Sequence, residues 1–229
     1  MNAVITGATK GIGRAIAVKL AEQGYNLAIC ARNEAELTSF KTELDYTGAK
    51  VFTYAADFSK KEKVEDFCRF AAGETGTIDV LVNNTGTFLT GSILDEADDQ
   101  FESQLNLNLK AAYYCTKFFG KMMREQRYGH VFNICSIASK QIAENAGSYS
   151  VTKAALLSLN NVFREELSKY NVKVTAVLPG STLTASWEGT SISPERFVQP
   201  EDIANSISSI LSLSAGANVD ELTITPLQF

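Results

Sequence analysis

The chain has 229 residues, with ordinary proportions of hydrophobic (45%) and charged (21%) side chains and a net charge of −5 at pH 7. That length fits one large α/β domain or two small ones. The acidic balance argues against nucleic acid as a partner, because phosphate backbones are bound by clustered Lys and Arg. No apolar run approaches the roughly 20 residues of a membrane span. Composition therefore predicts a soluble globular protein that binds neither nucleic acid nor membranes.

The cysteines and the first residues bear on location. Met1 and Asn2 lead directly into an apolar segment, which leaves no room for a signal peptide. The cysteines show neither C-x-x-C pairs nor metal-ligand spacing, which predicts reduced, mostly buried thiols and no metal at Cys30, Cys68, Cys115 and Cys135. A cytoplasmic protein is the expectation.

Short apolar runs alternate with helix-period segments along the whole chain. The predicted strands are 3–6, 26–30, 50–55, 78–83, 130–135, 172–178 and 221–225. The predicted helices lie near 12–23, 34–45, 60–72, 98–125, 150–169 and 201–213. Strict alternation predicts a parallel sheet covered by helices on both faces. Residues 1–229 are expected to form one domain, in which the irregular stretch 181–199 is a short lid.

A glycine-rich turn follows the first predicted strand and opens the first helix. Its sequence is Thr6-Gly7-Ala8-Thr9-Lys10-Gly11-Ile12-Gly13. Glycines let the backbone approach a pyrophosphate closely, and the helix N-terminus offers free N–H groups. Many turns need glycine for steric reasons alone. The strand–turn–helix context nevertheless favours a dinucleotide site.

The residues that end the second predicted strand indicate which dinucleotide. An NAD site usually places an Asp or Glu here for the ribose 2′-OH, whereas an arginine suits the 2′-phosphate of NADP. Ala31 and Arg32 occupy this position, and Lys10 in the glycine turn could reach the same phosphate. A solvated surface charge is the alternative for each cation. Two cations and no carboxylate predict NADP(H).

Two further segments suit the adenosine half of such a cofactor. Asp57 follows the third strand and could accept a hydrogen bond from the adenine amino group. An N-cap for the next helix is an alternative role for Asp57, or an additional one. Asn83-Asn84-Thr85-Gly86 follows the fourth strand, and ligands of open parallel sheets bind at this carboxyl edge.

A tyrosine four residues before a lysine occurs three times, as Tyr46/Lys50, Tyr113/Lys117 and Tyr149/Lys153. On a helix this spacing puts both groups on one face. A fixed cation there makes a phenolate easier to form, so each pair is a candidate acid/base. The first pair spans Gly48 in a predicted turn, and no strand-end hydroxyl precedes the second. Only the third follows a strand that ends in a hydroxyl, Ser136, which could hold a carbonyl oxygen for protonation.

Together these motifs resemble the short-chain dehydrogenase/reductase family along nearly the whole chain. The matching residues occur in the family's order, as Thr6-Gly7-x-x-x-Gly11-Ile12-Gly13, Asp57, Asn83-Asn84-x-Gly86, Asn108, Ser136, Tyr149-x-x-x-Lys153 and Pro179-Gly180-x-x-x-Thr184. The resemblance implies an α/β three-layer Rossmann fold. Its doubly wound parallel sheet would have seven strands in the order 3-2-1-4-5-6-7.

The resemblance also implies roles for individual residues. Tyr149 would be the acid/base and Ser136 would orient the substrate oxygen. Lys153 would hold the nicotinamide ribose and favour the phenolate. Asn108 would support a water that relays protons, although Asn106 is a rival for that role. The residues expected to bind NADP(H), including a segment that would close over the nicotinamide, are Gly7, Thr9, Lys10, Gly11, Ile12, Gly13, Arg32, Asp57, Phe58, Asn84, Gly86, Tyr149, Lys153, Pro179, Gly180, Thr182 and Thr184.

The chain departs from the family pattern in a few places. Thr85 replaces the usual alanine, and Val151-Thr152 stand where alanine and serine are common, which leaves the implied roles intact. The last strand meets Pro226 where family members have glycines and a tail that joins subunits. This argues against a tetramer formed through that tail. A homodimer paired through helices 98–125 and 150–169 is expected instead.

The predicted activity is that of an NADP(H)-dependent oxidoreductase acting on CH–OH or C=O groups, which moves hydride from NADPH to a ketone or aldehyde. A 3-oxoacyl-carrier-protein reductase is a narrower alternative, and a non-catalytic NADPH sensor is one of a different class. A serine hydrolase is disfavoured, because no Gly-x-Ser-x-Gly elbow occurs and the only histidine, His130, is expected to be an edge residue. Cys135 is expected to be a buried thiol, not a nucleophile.

The expected substrate lining is mostly apolar, which suits a small or medium apolar carbonyl compound. Ordinary packing within the lid is an equally good account of Trp187. The lining residues would be Phe88, Ile137, Ile142, Ala143, Leu183 and Trp187.

Overall fold

Seven parallel strands form the central sheet of the protein, whose computed structural model describes residues 1–142 and 144–228. The strands are β1 (Asn2–Thr6), β2 (Asn26–Ala31), β3 (Val51–Ala55), β4 (Val80–Asn83), β5 (Gly129–Ile134), β6 (Val172–Pro179) and β7 (Glu221–Ile224). They lie in the order β3-β2-β1-β4-β5-β6-β7, and each adjacent pair is parallel. The predicted topology is confirmed.

Helices connect successive strands of this sheet. They are α1 (Gly11–Glu22), α2 (Glu34–Glu43), α3 (Lys61–Thr75), α4 (Asp98–Leu105), α5 (Ala111–Gln126), α6 (Gly147–Ser168) and α7 (Pro200–Leu211). The predicted helix 98–125 is therefore two helices, joined by a π turn at Asn106–Lys110. A π turn widens the helix by one residue and leaves the apolar pattern almost unchanged, so periodicity does not reveal it. The region 181–199 contains two short 3₁₀ turns, Ala185–Trp187 and Pro194–Arg196.

The two faces of the sheet pack against different helices, because successive strand side chains point to opposite sides. Ile5 of β1 belongs to a cluster with residues of α1, α2 and α7. Its neighbour Val4 belongs to a second cluster with residues of α3 and α5, including Phe67 and Phe119. Both clusters are fully buried at these positions, which gives the sheet the two helical layers of a doubly wound fold.

His130 is the second residue of β5, which lies in the interior of the sheet between β4 and β6. The expectation of an edge residue is wrong, since its side chain is buried. The Nε2 atom lies 2.8 Å from Thr175 Oγ1, and that hydroxyl donates to Val219 O, so Nε2 must carry the proton. Burial, with a smaller contribution from Lys173, lowers the pKa of His130 to about 3. The imidazole is thus a neutral core group.

Candidate active site

The glycine turn between β1 and α1 is hydrogen-bonded to Asn84, the residue that follows β4. Gly7 and Gly11 have φ values of 66° and 52°, which side chains rarely adopt. Gly13 has a different constraint, because an added Cβ would lie well under 3.0 Å from Asn84 Nδ2 and Gly7 O. Asn84 Nδ2 donates to Thr6 O at 3.0 Å and to Gly7 O at 2.9 Å. The predicted residues Gly7, Gly11, Gly13 and Asn84 are therefore brought together at one place.

The N-terminus of α1 opens directly onto this turn. Its N-cap is Lys10, and no side chain caps the first N–H groups of the helix. Unpaired N–H groups and the positive end of the helix dipole favour an anion. Ile12, the second residue of α1, is partly buried and packs on the core. The turn thus has the backbone geometry and the charge that a pyrophosphate needs.

Lys10 is paired with a carboxylate that the sequence reasoning missed. Lys10 Nζ lies 3.0 Å from Glu36 Oε1, and Thr9 Oγ1 donates to Glu36 Oε2 at 3.1 Å. The Lys10 hydrogen bond, with smaller contributions from Thr9 and from the charge of Arg32, holds the pKa of Glu36 below its usual range. No carboxylate stands at the end of β2, as predicted, but Glu36 of α2 brings one against Lys10.

A short-range signal could have located Glu36. It stands three residues after Asn33, whose side chain caps α2 by accepting from Glu36 N at 3.1 Å. A capping residue followed three positions later by Glu is typical of a helix start, and the Glu then reaches back toward the preceding strand end. In this chain it reaches the glycine turn instead.

Asp57 and Phe58 lie just after β3. Asp57 Oδ1 accepts from Ser59 Oγ at 2.8 Å and from Ser59 N at 3.1 Å, and these bonds hold the pKa of Asp57 below its usual range. Since α3 begins after the N-cap residue Lys60, the alternative role of Asp57 as that helix's N-cap is wrong. The ring of Phe58 is buried, 5.5 Å from that of Phe67, so only its main chain is left for a ligand.

Tyr149 and Lys153 lie one turn apart near the start of α6. Lys153 Nζ lies 5.8 Å from the centre of the Tyr149 ring. The lysine is only 5% exposed, and its Nζ donates to Ile134 O, at the end of β5, at 2.8 Å. Burying an ammonium is costly unless it is hydrogen-bonded. The charge is therefore fixed in position beside the phenol.

Ser136 follows the end of β5 and caps a short 3₁₀ turn at Ile137–Ser139. Its Oγ accepts from Ala138 N at 3.1 Å, so the hydroxyl proton is still available for another group. Beside it, burial raises the pKa of Cys135 to about 12, opposed in part by Lys153. Cys135 is consequently a thiol at neutral pH. All four cysteines are free and buried, as expected.

Asn108 ties three segments together from inside the π turn. Its Oδ1 accepts from Thr87 N at 2.7 Å, and its Nδ2 donates to Thr87 O at 3.0 Å and to Thr152 Oγ1 at 3.1 Å. Thr152 Oγ1 in turn donates to Tyr149 O at 2.9 Å. The rival Asn106 instead accepts from Lys110 Nζ at 2.9 Å, in a shallow surface pocket. Of the two, only Asn108 contacts the segments that carry the tyrosine.

Gly86 lies between Asn108 and Lys153. A Cβ added at Gly86 would stand 3.0 Å from Asn108 Oδ1 and 3.6 Å from Lys153 Nζ. The predicted residues Gly86, Asn108, Tyr149 and Lys153 are thus brought together at the carboxyl edge of β4 and β5.

The other two Tyr/Lys pairs have different surroundings. Tyr46 lies in the 3₁₀ turn Leu44–Thr47 and donates to Glu22 Oε1 at 2.8 Å. Lys117 Nζ lies 3.3 Å from Tyr113 OH on an exposed part of α5. The expectation that Tyr46 and Lys50 lack helical spacing is confirmed.

The segment after β6 returns to the glycine turn. Gly180 N donates to Ile224 O at 2.7 Å, and Thr182 Oγ1 donates to Gly180 O at 3.0 Å. Thr184 Cγ2 would be 3.0 Å from a Cβ at Gly11, so Thr184 lies directly against that turn. Pro179, the last residue of β6, begins this return.

One apolar side chain packs directly against Tyr149. The Phe88 ring stands edge-on to that of Tyr149, with centres 4.9 Å apart and planes at 79°. Trp187 packs 5.1 Å from Phe197, so it contacts another residue of the region 181–199. Ala143 of the expected lining lies outside the described residues. Exposed apolar side chains on the neighbouring segments are Phe88, Leu89, Ile93, Leu94 and Ile142.

Within the described ranges, no group of His, Cys, Asp and Glu could hold a metal ion. No helix of these ranges has the length and hydropathy that crossing a membrane requires.

Known proteins of similar sequence include oxidoreductases. An uncharacterized oxidoreductase of Staphylococcus aureus is 33% identical over 225 residues, which cover 98% of this chain and 96% of that protein. The family described as short chain dehydrogenase matches residues 1–193. The chain therefore belongs to the short-chain dehydrogenase family.

Solved structures of similar fold include cofactor complexes. An alcohol dehydrogenase from the archaeon Thermococcus sibiricus, complexed with 5-hydroxy-NADP, has a TM-score of 0.91 and 29% identity, covering 99% of this chain and 96% of that one. L-sorbose reductase from Gluconobacter frateurii, complexed with NADPH and L-sorbose, has a TM-score of 0.91 and 28% identity, covering 98% and 94%.

Proposed function

We propose that this protein is an NADP(H)-dependent reductase that converts a ketone or aldehyde to an alcohol, with Tyr149 as the acid. The observation that carries the proposal is the buried Lys153 ammonium, fixed by Ile134 O within 5.8 Å of the Tyr149 ring. A fixed cation stabilises the phenolate that remains after proton donation. Ser136, with a free hydroxyl proton at the same sheet edge, supports the role of orienting the substrate oxygen.

NADPH, when bound, supplies the hydride that adds to the carbonyl carbon. Tyr149 gives its phenolic proton to the carbonyl oxygen, which balances the reduction, while Lys153 keeps its positive charge beside the resulting phenolate. Ser136 donates a hydrogen bond to the same oxygen and holds it in place. Asn108 keeps the segments of Thr87 and Tyr149 in register through its amide. In this proposal residues 1–229 form one catalytic domain, and residues 181–199 form its lid.

The choice of NADP(H) is supported by Lys10 and Arg32 beside the glycine turn, and by relatives of the same fold that were solved with NADPH or an NADP derivative. The residues proposed to bind it are those expected from the sequence, with Phe58 acting through its main chain.

Four buried, free thiols suit a cytoplasmic location. Exposed apolar residues on α5 and α6, Tyr113 and Val162, support a homodimer through these helices.

An apolar carbonyl compound is the proposed substrate, because the partly exposed ring of Phe88 packs against the ring of Tyr149. A 3-oxoacyl-carrier-protein reductase is the narrower version of this proposal. The competing function is an NADPH sensor without turnover.

Steady-state NADPH oxidation with a panel of acetoacetyl thioesters, diketones and aldehydes tests the proposal. Tyr149→Phe should lower kcat by about 10²- to 10⁴-fold, the usual contribution of a general acid, and should leave the NADPH Kd within about twofold. Tyr46→Phe is the control, since it removes the hydroxyl of an exposed Tyr/Lys pair outside α5 and α6 and should not change kcat.

Two outcomes would contradict this assignment. Equal activity of wild type and Tyr149→Phe refutes the role of the tyrosine. Tight NADPH binding by the wild-type protein, with no turnover across the panel, favours the sensor.

A further inference from the structure

Glu36 places a negative charge where the proposed cofactor would bring another. Glu36 Oε1 is 3.0 Å from Lys10 Nζ, and its other oxygen accepts from Thr9. The depressed pKa of its carboxyl means that Glu36 is ionised at neutral pH. Lys10 is the cation of the glycine turn, and its side chain is 69% exposed. It is already paired with Glu36 in the folded protein.

An ammonium can donate to two anions at once, but the anions then lie close to each other. Acceptors at hydrogen-bond distance on two N–H groups of one tetrahedral nitrogen are about 5 Å apart. A phosphate monoester carries a charge near −2 above pH 7. A 2′-phosphate held by Lys10 is therefore repelled by Glu36, unless the phosphate displaces Glu36 from Lys10.

A cofactor without the 2′-phosphate meets no such repulsion. Its ribose 2′-OH is a hydrogen-bond donor, and NAD sites usually supply a carboxylate to accept from it. The surroundings of Glu36 thus combine two cations that suit a phosphate, Lys10 and Arg32, with one carboxylate that suits a hydroxyl.

We propose that Glu36 is a cofactor-selectivity residue, which competes with the 2′-phosphate of NADP(H) for Lys10 and so limits the preference for NADP(H) over NAD(H). This inference rests on the proposed function, because it requires that the nicotinamide cofactor bind at the glycine turn.

The size of the effect follows from Coulomb's law. A charge of −2 at about 5 Å from a carboxylate, in water at 0.15 M ionic strength, weakens binding about fivefold; at 0.01 M the same arrangement weakens it about tenfold. Removing the charge of Glu36 should restore these factors. The gain should appear with NADPH and be absent with NADH.

The test measures Kd values by isothermal titration calorimetry for NADPH and NADH at pH 8, with wild type, Glu36→Gln and Glu34→Gln. Glu34 lies in the same first turn of α2 and is exposed, so Glu34→Gln makes the same change in net charge and helix-end charge. Glu36→Gln should bind NADPH about fivefold more tightly at 0.15 M salt and about tenfold at 0.01 M. Glu34→Gln should change neither Kd by more than about twofold.

The outcomes separate this inference from the function on which it rests. If wild type binds NADPH and Glu36→Gln binds it equally or more weakly, Glu36 organises Lys10 and the competition is refuted. A gain that Glu34→Gln matches, or that does not change with salt, also overturns the proposal. If wild type binds neither cofactor, the proposed function itself fails.

Discussion

The buried histidine of β5 makes the stability of the protein depend on pH in a window that can be calculated. His130 has a pKa of about 3 in the folded protein against an ordinary value of 6.5. Below pH 6.5 the unfolded chain binds a proton that the folded chain does not, so stability is complete above pH 6.5 and falls as pH is lowered toward 3. At pH 5 the loss is about 2 kcal/mol. This figure changes little for any folded value below 4, because the folded imidazole is then already neutral at pH 5.

Urea unfolding of wild type and His130→Gln at pH 8 and pH 5 measures this term. Glutamine does not titrate, and its amide can still donate to the Thr175 hydroxyl that His130 Nε2 contacts. Wild type should lose about 2 kcal/mol more than the variant between the two pH values. Carboxylates with lowered pKa, such as Glu36 and Asp57, lose their stabilising effect only as pH falls below about 4.5, which is lower than both pH values compared. The same pH dependence in both proteins would refute the assignment of a neutral, buried imidazole.

Two further predictions concern the site. Thr152→Val removes the acceptor of one Asn108 N–H and should lower kcat about tenfold with little change in KM. Thr152→Ser, which keeps the hydroxyl, should restore kcat. Steady-state kinetics measures both variants, and a Ser variant as slow as the Val variant contradicts the role of the hydroxyl. Gly13→Ala should weaken NADPH binding at least tenfold and lower the free energy of unfolding by about 1–3 kcal/mol. Calorimetry and urea unfolding measure these effects, and the control is Gly73→Ala, at a helical site with open space. The control should raise the free energy of unfolding by up to about 1 kcal/mol. Equal behaviour of the two variants contradicts the steric argument.

The sheet was predictable because its signal is local and repeated. Each strand is a short apolar run, each helix has its own period, and alternation leaves a parallel sheet as the simplest arrangement. The order of the strands followed from the resemblance carried by the glycine turn, Ser136 and the Tyr149/Lys153 pair. These residues stand at strand ends or helix starts, so an error of a few residues in an element boundary does not move them to another face or edge.

The misses share a different cause, which is dependence on contacts between distant residues. His130 looked peripheral because it begins the predicted strand, but β5 lies inside the sheet and the imidazole is hydrogen-bonded to Thr175 of β6. Glu36 was not among the predicted site residues, because only the folded chain places it against Lys10. The π turn, likewise, has no periodic signature in the sequence.

The hydrogen bonds of Asn108 also limit what it can do in a proton relay. Both of its N–H groups are engaged, with Thr87 O and Thr152 Oγ1, and its Oδ1 accepts from Thr87 N. Gly86 lies against that oxygen, where an added Cβ would be only 3.0 Å away. The side chain therefore has no N–H donor left for a water. We infer that the Asn108 side chain serves to position Tyr149 through Thr152, whose hydroxyl joins the Asn108 amide to Tyr149 O.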